Sequence, residues 1–495
     1  MKKVSIIGAG LSGLTASILL AKEGFEVTIY EKSKKVGGNF TALQFEDHLF
    51  EFGPTFFTIP ELLESIFLMA GKNIENYLDL EILTHHTHVY FENGDNFCLS
   101  TNVEEMIEQL KKVDATGAEN YHDFLAEIKR LYFEVNELSM NLQITNWSKL
   151  VKIPIRNLIL KLRPFQSLDH FLRKYFENEQ IIQLLAKYAN RGEMLARSTP
   201  AFFAAFLYPI LTADVFYVKG GTREIPCALK KLAIELGVKI YTEKEITKIH
   251  LKNNQVEGIQ INENLSIESD YVLISSAQLL NSDTLLSDFT VMNEREKFIV
   301  TGENNLSQFV LLLGLDRYTN LKTHTVLFSS DVEREVEQIL NGEFAENPTI
   351  YIYNPAFQEP ERFKSGDCLV LMVSIPTNDL YSTSYRASIA SYRHHLVSEL
   401  KKYGFDLEES IVEEKVWTSK DLKNRFNSTK GGIHGAISKT FAAAYIRPPV
   451  KSDEIKGLYF TLVDTSHPAG STEALKNGIH LATSIIEEAR ENPLI

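Results

Sequence analysis

Gly8, Gly10 and Gly13, spaced G-x-G-x-x-G, are residues whose type and spacing can do chemistry. A backbone that turns tightly with no side chain in the way brings its N–H groups against a phosphate. Gly8 allows the turn out of a strand, Gly10 lets the backbone approach a pyrophosphate, and Gly13 lets a helix pack near that strand. Glu31 stands 23 residues beyond Gly8. A carboxylate there accepts hydrogen bonds from ribose hydroxyls and favours FAD or NAD over NADP. Two other readings compete for MKKVSIIGAGLSGLTASILLA: a secretory signal peptide, and a plain glycine turn. No clear small-x-small cleavage site follows, and the run is too short and interrupted to span a bilayer. No signal peptide is therefore expected.

The glycines need a strand before them and a helix after. Val4 to Ile7 reads as the strand, Leu14 to Glu23 as a helix closed by Gly24, and Glu26 to Tyr30 as a second strand. With the acid at its end, this is one βαβ unit, and the context carries the dinucleotide reading. Around it the chain has 495 residues, more than one ordinary core, so two domains are expected. Apolar residues make up 44%, enough for a packed fold, and a net charge of -14 argues against nucleic acid as a partner. Cys98, Cys227 and Cys368 form no C-x-x-C and no disulfide framework, which fits a reducing cytoplasm. No H-E-x-x-H, G-x-S-x-G or Cys/His cluster occurs, so no metal is expected. Gly220-Gly221 and Gly431-Gly432 do not stand in a second βαβ context. Electrons would then leave to something other than a docked nicotinamide.

Further along, Gly37-Gly38 and Gly53-Pro54-Thr55 read as tight turns able to approach the same cofactor. Residues 216–249 read as strand, Gly-Gly turn, amphipathic helix and strand. Residues 269–277 add a buried-type strand, and 456–486 a strand, loop and helix. SKLVKIPIRNLILKLRPF, residues 148–165, holds Lys149, Lys152, Arg156, Lys161 and Arg163 among eight aliphatic residues and no acid. In an acidic protein this reads as an interfacial membrane segment or, more plainly, as an amphipathic helix with solvated cations. AFFAAFLYPIL (201–211) and FTIPELLESIF (57–67) could line an apolar tunnel or simply form core. The pairs His85-His86 and His394-His395 read as surface histidines.

On residues 31–40, 50–60, 216–249, 269–277 and 456–486, together with 328–356 and 416–436, the chain resembles the phytoene desaturase-like family of FAD-dependent carotenoid enzymes, nearly end to end. It is most similar to bacterial diapocarotenoid desaturases and their oxygenase relatives, within the amine-oxidase flavoprotein superfamily. The resemblance implies an α/β plus α+β fold. Its Rossmann-like FAD domain would be discontinuous (1–70, 215–285, 425–495), with an inserted substrate domain of mixed sheet plus helices (71–214, 286–424). It implies FAD contacts from Gly8, Gly10, Leu11, Ser12, Gly13, Glu31, Lys32, Gly37, Gly38, Asn39, Gly53, Pro54, Thr55, Ile246 and Asp464. His434 and His467 would lie near the flavin ring, polarising it or a developing cation, or merely capping a loop.

The expected activity is desaturation of an acyclic C30 or C40 polyene by hydride transfer to FAD, with quinone or O2 as the final acceptor. The enzyme would sit in the cytoplasm, peripheral on the inner face of the membrane, touching it through 148–165. The same family offers terminal-methyl oxygenation and redox-neutral isomerisation. An amine or porphyrinogen oxidase shares the flavin fold. A non-catalytic paralogue is the last alternative, pointed to by Asn39, which lacks the usual cationic side chain, and by bulky Leu462 in the C-terminal loop.

Overall fold

The computed structural model describes all residues except 54, 56, 59, 142–161, 164, 191–193, 263–264, 276–284, 286–305, 378–382, 427–449, 453, 462–469 and 492–495. The opening segment folds as β1 (Lys3–Ile7), α1 (Leu11–Lys22) and β2 (Glu26–Tyr30). β1 is buried from Val4 onward, as a near-continuous apolar run in a sheet covered on both faces must be. The helix begins at Leu11, three residues before the apolar run alone implies, because Gly10 itself is the extended N-cap residue. Every residue from Leu11 to Leu20 is buried. Gly24, at φ +86°, stops the helix by taking the left-handed conformation.

β1 lies at the centre of a five-stranded parallel sheet. The order is Lys239–Tyr241, β2, β1, Tyr271–Ile274, Leu458–Phe460. Its strands thus come from stretches far apart in the chain. Strand order reverses direction at β1, and the crevice beyond the carboxyl end of such a switch point is where a doubly wound sheet holds its ligand. Helices Glu224–Glu235 and Ser471–Glu491 pack against α1.

A second, mixed sheet has seven strands, in the order 411–417, 306–315, 368–376, 350–353, 324–328, 85–91, 96–100. Its long strand Leu306–Leu315 alternates in the two-residue period of a strand. Phe309, Leu311 and Leu313 enter one apolar cluster with Leu396 and Leu400, while Val310 and Leu312 enter another with Phe50 and Phe52. Helices Val103–Val113, Ala115–Asn141 and Glu179–Asn190 surround a third cluster rich in phenylalanine. Residues Ala201 to Ala205, Leu207 and Leu211 are buried inside it, which is the core reading of 201–211. Phe57, Leu63, Ile66 and Phe67 of 57–67 instead pack with the parallel sheet and its helices. The α/β plus α+β class expected from the sequence is the class observed.

Candidate functional site

The site is built on the loop that leaves β1. Gly8 takes φ +102° and its N–H donates to Tyr30 O at 2.8 Å, closing the turn onto β2. A Cβ at Gly13 would lie 2.3 Å from Gly8 O, so only glycine lets α1 sit this close to the loop. At Gly10 the reverse holds: a Cβ would meet nothing within 4 Å. Open space therefore faces the amino end of α1, where the helix dipole and free N–H groups favour an anion. The Gly37–Gly38 turn closes on the same space. Gly37 N–H donates to Ala9 O at 2.9 Å, and a Cβ at Gly38 would lie 3.6 Å from Gly10 Cα.

Glu31 is buried beside this loop. Its Oε2 accepts the Ala9 N–H and its Oε1 the Ser33 N–H, each at 2.8 Å. Each oxygen keeps a further lone pair for a hydroxyl. The Glu31 backbone is bracketed by Tyr241 O and the Lys244 N–H, both at 2.9 Å, which brings the segment leading to buried Ile246 alongside. Leu11 is buried in the first turn of α1. The Ser12 hydroxyl donates to Ala474 O at 2.8 Å, tying α1 to the C-terminal helix. Lys32 and Asn39 are exposed. Gly53, at φ +129°, packs on Asn39: a Cβ there would meet Asn39 O at 2.2 Å. Thr55 is buried, with its Oγ1 2.8 Å from the Tyr351 hydroxyl. Pro54, His434, Leu462, Asp464 and His467 lie outside the described residues.

Two buried polar groups escape a reading of the sequence. The first joins Glu51, two residues before Gly53, to Arg362, with the Tyr353 hydroxyl donating to Glu51 Oε2 at 3.1 Å. Arg362 also reaches Glu359, which accepts from the Tyr217 hydroxyl at 2.6 Å and the Gly220 N–H at 3.0 Å. Burial raises the Glu51 carboxyl above its ordinary range, and Arg362 pulls it back. Gly221, at φ +93°, is glycine because a Cβ there would fall on the Glu51 carboxylate. The Gly220-Gly221 pair was the sequence signal, but its reason lies elsewhere in the chain.

The second group corrects the surface reading of His85-His86. His85 is exposed and pairs with Glu105 at 2.8 Å, but His86 is buried, because the strand bulges between His85 and Thr87. His86 and His324 are both pushed down to about 3 and His88 to about 4, chiefly by burial. They are neutral imidazoles at neutral pH. Among the described residues no group of His, Cys, Asp and Glu is arranged to hold a metal. His394 is exposed, as expected.

Of residues 148–165 only Leu162, Arg163, Phe165 and no others are described. Leu162 is buried, Phe165 is exposed, and Arg163 pairs with Glu127 at 2.8 Å, so its charge is met by an acid. No helix among the described residues is long and apolar enough to cross a membrane.

An open glycine cradle at a helix amino end, roofed by a second glycine turn and flanked by a carboxylate, fits the pyrophosphate and ribose of a dinucleotide. Comparison with known proteins names the group. The family described as flavin containing amine oxidoreductase matches residues 11–297, more than half of the chain. The chain is 27% identical over 466 residues to 4,4'-diapolycopene oxygenase of Methylomonas sp, with 93% of each chain covered. It is 26% identical over 489 residues to a 4,4'-diapophytoene desaturase (4,4'-diaponeurosporene-forming) of Staphylococcus aureus, covering 94% of this chain and 95% of that one. A solved putrescine oxidase has a similar fold, with a TM-score of 0.63 at 14% identity over 98% of this chain and 99% of that one.

Proposed function

The chain belongs to the flavin-containing amine oxidoreductase family as an FAD-dependent oxidoreductase, and from that premise we propose that it desaturates an acyclic C30 or C40 polyene of carotenoid biosynthesis at a membrane surface. One observation carries the reading: relatives named for desaturating or oxygenating such polyenes run beside this chain almost from end to end. In this proposal the N–H groups around Gly8, Gly10 and Gly13, roofed by Gly37 and Gly38, hold the pyrophosphate. Glu31 holds the ribose, with Ile246 beside the adenine and Gly53 and Thr55 toward the flavin ring. His434, His467 and Asp464 complete the ring site, as the resemblance implies. The grip belongs to a discontinuous FAD domain of 1–70, 215–285 and 425–495, and the remaining residues form the substrate domain.

A saturated carbon pair next to a polyene has no leaving group, and a bound flavin supplies the acceptor for its hydride. What the polypeptide adds is orientation and exclusion of water. An apolar, hydrogen-bond-poor substrate suits apolar walls. The proposal includes a cytoplasmic enzyme resting on the inner membrane face through 148–165, with quinone or O2 taking the electrons.

Terminal-methyl oxygenation is the second reading, favoured by the 27% identity to a protein named as an oxygenase. One experiment separates them. Cells supplied with dehydrosqualene, phytoene or diaponeurosporene express the chain, and their pigments are resolved by absorbance and mass. Loss of two hydrogens per step with a red-shifted spectrum identifies a desaturase. Gain of oxygen identifies the oxygenase. No change with any polyene overturns both.

A further inference from the structure

The charge of the chain sets a problem that the glycine cradle does not solve by itself. The net charge is -14, and a molecule so negative repels an anionic ligand at long range. Inside the cradle the attraction comes from backbone N–H groups and a helix dipole, which act only over a short final approach. Asn39, directly after the roof glycines, is exposed and uncharged. Glu31 adds a carboxylate beside the loop. These groups fit an anion that has arrived, and none of them draws one in from solvent.

A cationic rim stands just outside. Lys34 and Lys35 are exposed in the loop that runs from Glu31 to the roof glycines. Lys230 stands half-buried on helix Glu224–Glu235. Loop and helix meet, because a Cβ at Gly37 would lie 3.0 Å from Pro226 Cγ in the first turn of that helix. The Cys227 thiol, next to Pro226, feels both elements: burial and Glu224 lift it above its ordinary value, while Arg223, Lys230 and Lys35 pull it down. Arg223 already has an acid, with its Nε 3.7 Å from Glu224 Oε1. Among the described residues no carboxylate lies within ion-pair distance of Lys34, Lys35 or Lys230. Other lysines around the parallel sheet are engaged. Lys239 pairs with Glu26 at 2.8 Å and Lys72 with Glu235 at 3.2 Å, and Lys231, beside Lys230, lies 4.6 Å from the centre of the Tyr77 ring. The charges left uncompensated are therefore those that border the cradle. An exposed cation adds little to affinity at contact, but it shapes the field through which a charged ligand diffuses.

We propose that Lys34, Lys35 and Lys230 form an electrostatic guide that draws an anionic dinucleotide into the glycine cradle, setting how fast the cofactor arrives rather than how tightly it is held. The proposal rests on the reading that FAD fills that cradle. The ligand it serves is the cofactor, because a hydrocarbon polyene carries no charge for the rim to attract.

The test follows FAD association with the full chain freed of flavin, by flavin fluorescence after rapid mixing, and FAD release from the holo-protein after dilution. A thermal melt establishes folding. Lys34→Gln/Lys35→Gln/Lys230→Gln is expected to slow association about tenfold at about 0.01 M salt and to leave release unchanged. At about 1 M salt, where the screening length is about 3 Å, variant and wild type are expected to associate at the same rate. Lys34→Arg/Lys35→Arg/Lys230→Arg keeps the charge and is expected to associate as the wild type does. Lys111→Gln/Lys112→Gln, on helix Val103–Val113 against the edge strand 96–100 of the seven-stranded sheet, is expected to leave association unchanged. Unchanged association in the glutamine variant of the rim overturns the proposal. So does faster release with unchanged association, which would make the lysines holding contacts. Equal slowing by the Lys111/Lys112 variant overturns it too, since net charge would then be the cause. If the rim variant keeps its association rate but loses sedimentation with phosphatidylglycerol vesicles, the rim meets a lipid surface and the proposal falls. A wild-type chain that takes up no FAD overturns the cofactor reading itself, an outcome seen before any variant is made.

Discussion

In the proposed site, Glu31 serves loop and ligand together. Its two oxygens each accept one backbone N–H, from Ala9 and Ser33, so the carboxylate shapes the loop by itself. Glu31→Gln keeps one acceptor oxygen and turns a donor toward the other N–H. It is expected to weaken FAD binding by at least tenfold and to lower stability by about 1–2 kcal/mol, read by flavin titration and urea melts. The buried histidines make a pH prediction of definite sign. His324 titrates at about 3 when folded and near 6.5 when unfolded. The unfolded chain therefore binds the proton first, and stability is lost as pH falls from 6.5 toward 3. Each such group costs about 1.4 kcal/mol per pH unit in that window. His86 behaves alike. Urea midpoints measured from pH 7.5 down to 5 are expected to fall steeply below 6.5. His324→Gln, which cannot take the proton, is expected to flatten the slope by about 1.4 kcal/mol per unit.

The glycines of the βαβ element do different jobs, and a single methyl group separates them. Gly10 faces open space, so Gly10→Ala is expected to fold with an unchanged melting temperature yet lose FAD, because the methyl stands in the space the proposal gives to the pyrophosphate. Gly13 faces Gly8 O, so Gly13→Ala must push α1 off β1 and is expected to cost about 1–3 kcal/mol of stability. Equal thermal melts for the two variants would contradict this division. The element was legible in the sequence because its whole logic is local: strand, turn, helix, strand and acid fall within residues 3 to 31. The turn at Gly220–Gly221 was legible only as a turn. Its purpose, admitting the Glu51 carboxylate, depends on a residue far away in sequence. The burial of His86 was hidden for a similar reason, since a bulge in its strand shifts which side chain faces inward, and pattern alone does not register a bulge. The segments 201–211 and 57–67 show the opposite limit: an apolar run announces burial but not which core receives it.

At the scale of the molecule, the Glu51–Arg362 pair joins pieces of chain that no local rule connects. The partners are 311 residues apart. Glu51 lies in the strand His48–Phe52, whose phenylalanines pack on the seven-stranded sheet, and Arg362 follows that sheet's strand Ile350–Tyr353. Through Glu359 the pair also holds Tyr217 and Gly220, at the start of the turn into helix Glu224–Glu235, which itself packs on α1. The ion pair thus ties the mixed sheet to the helical cover of the dinucleotide loop. Buried pairs of this kind do not owe their importance to net stabilisation, because desolvation cancels much of the attraction. Their force is shown when one partner is removed. Arg362→Met leaves the Glu51 carboxylate buried without its cation and is expected to lower stability by about 3–5 kcal/mol at pH 7. The loss should shrink as pH falls, since protonating the stranded carboxyl relieves it. Glu51→Gln with Arg362→Met together is expected to recover most of the loss, with urea melts of the four proteins forming the cycle. The same cycle read on FAD affinity separates packing from coupling. If the pair carries the geometry of the Gly53 turn to the cofactor, the double variant regains stability without regaining full FAD affinity. Recovery of both together would mean that the latch serves only to hold the fold.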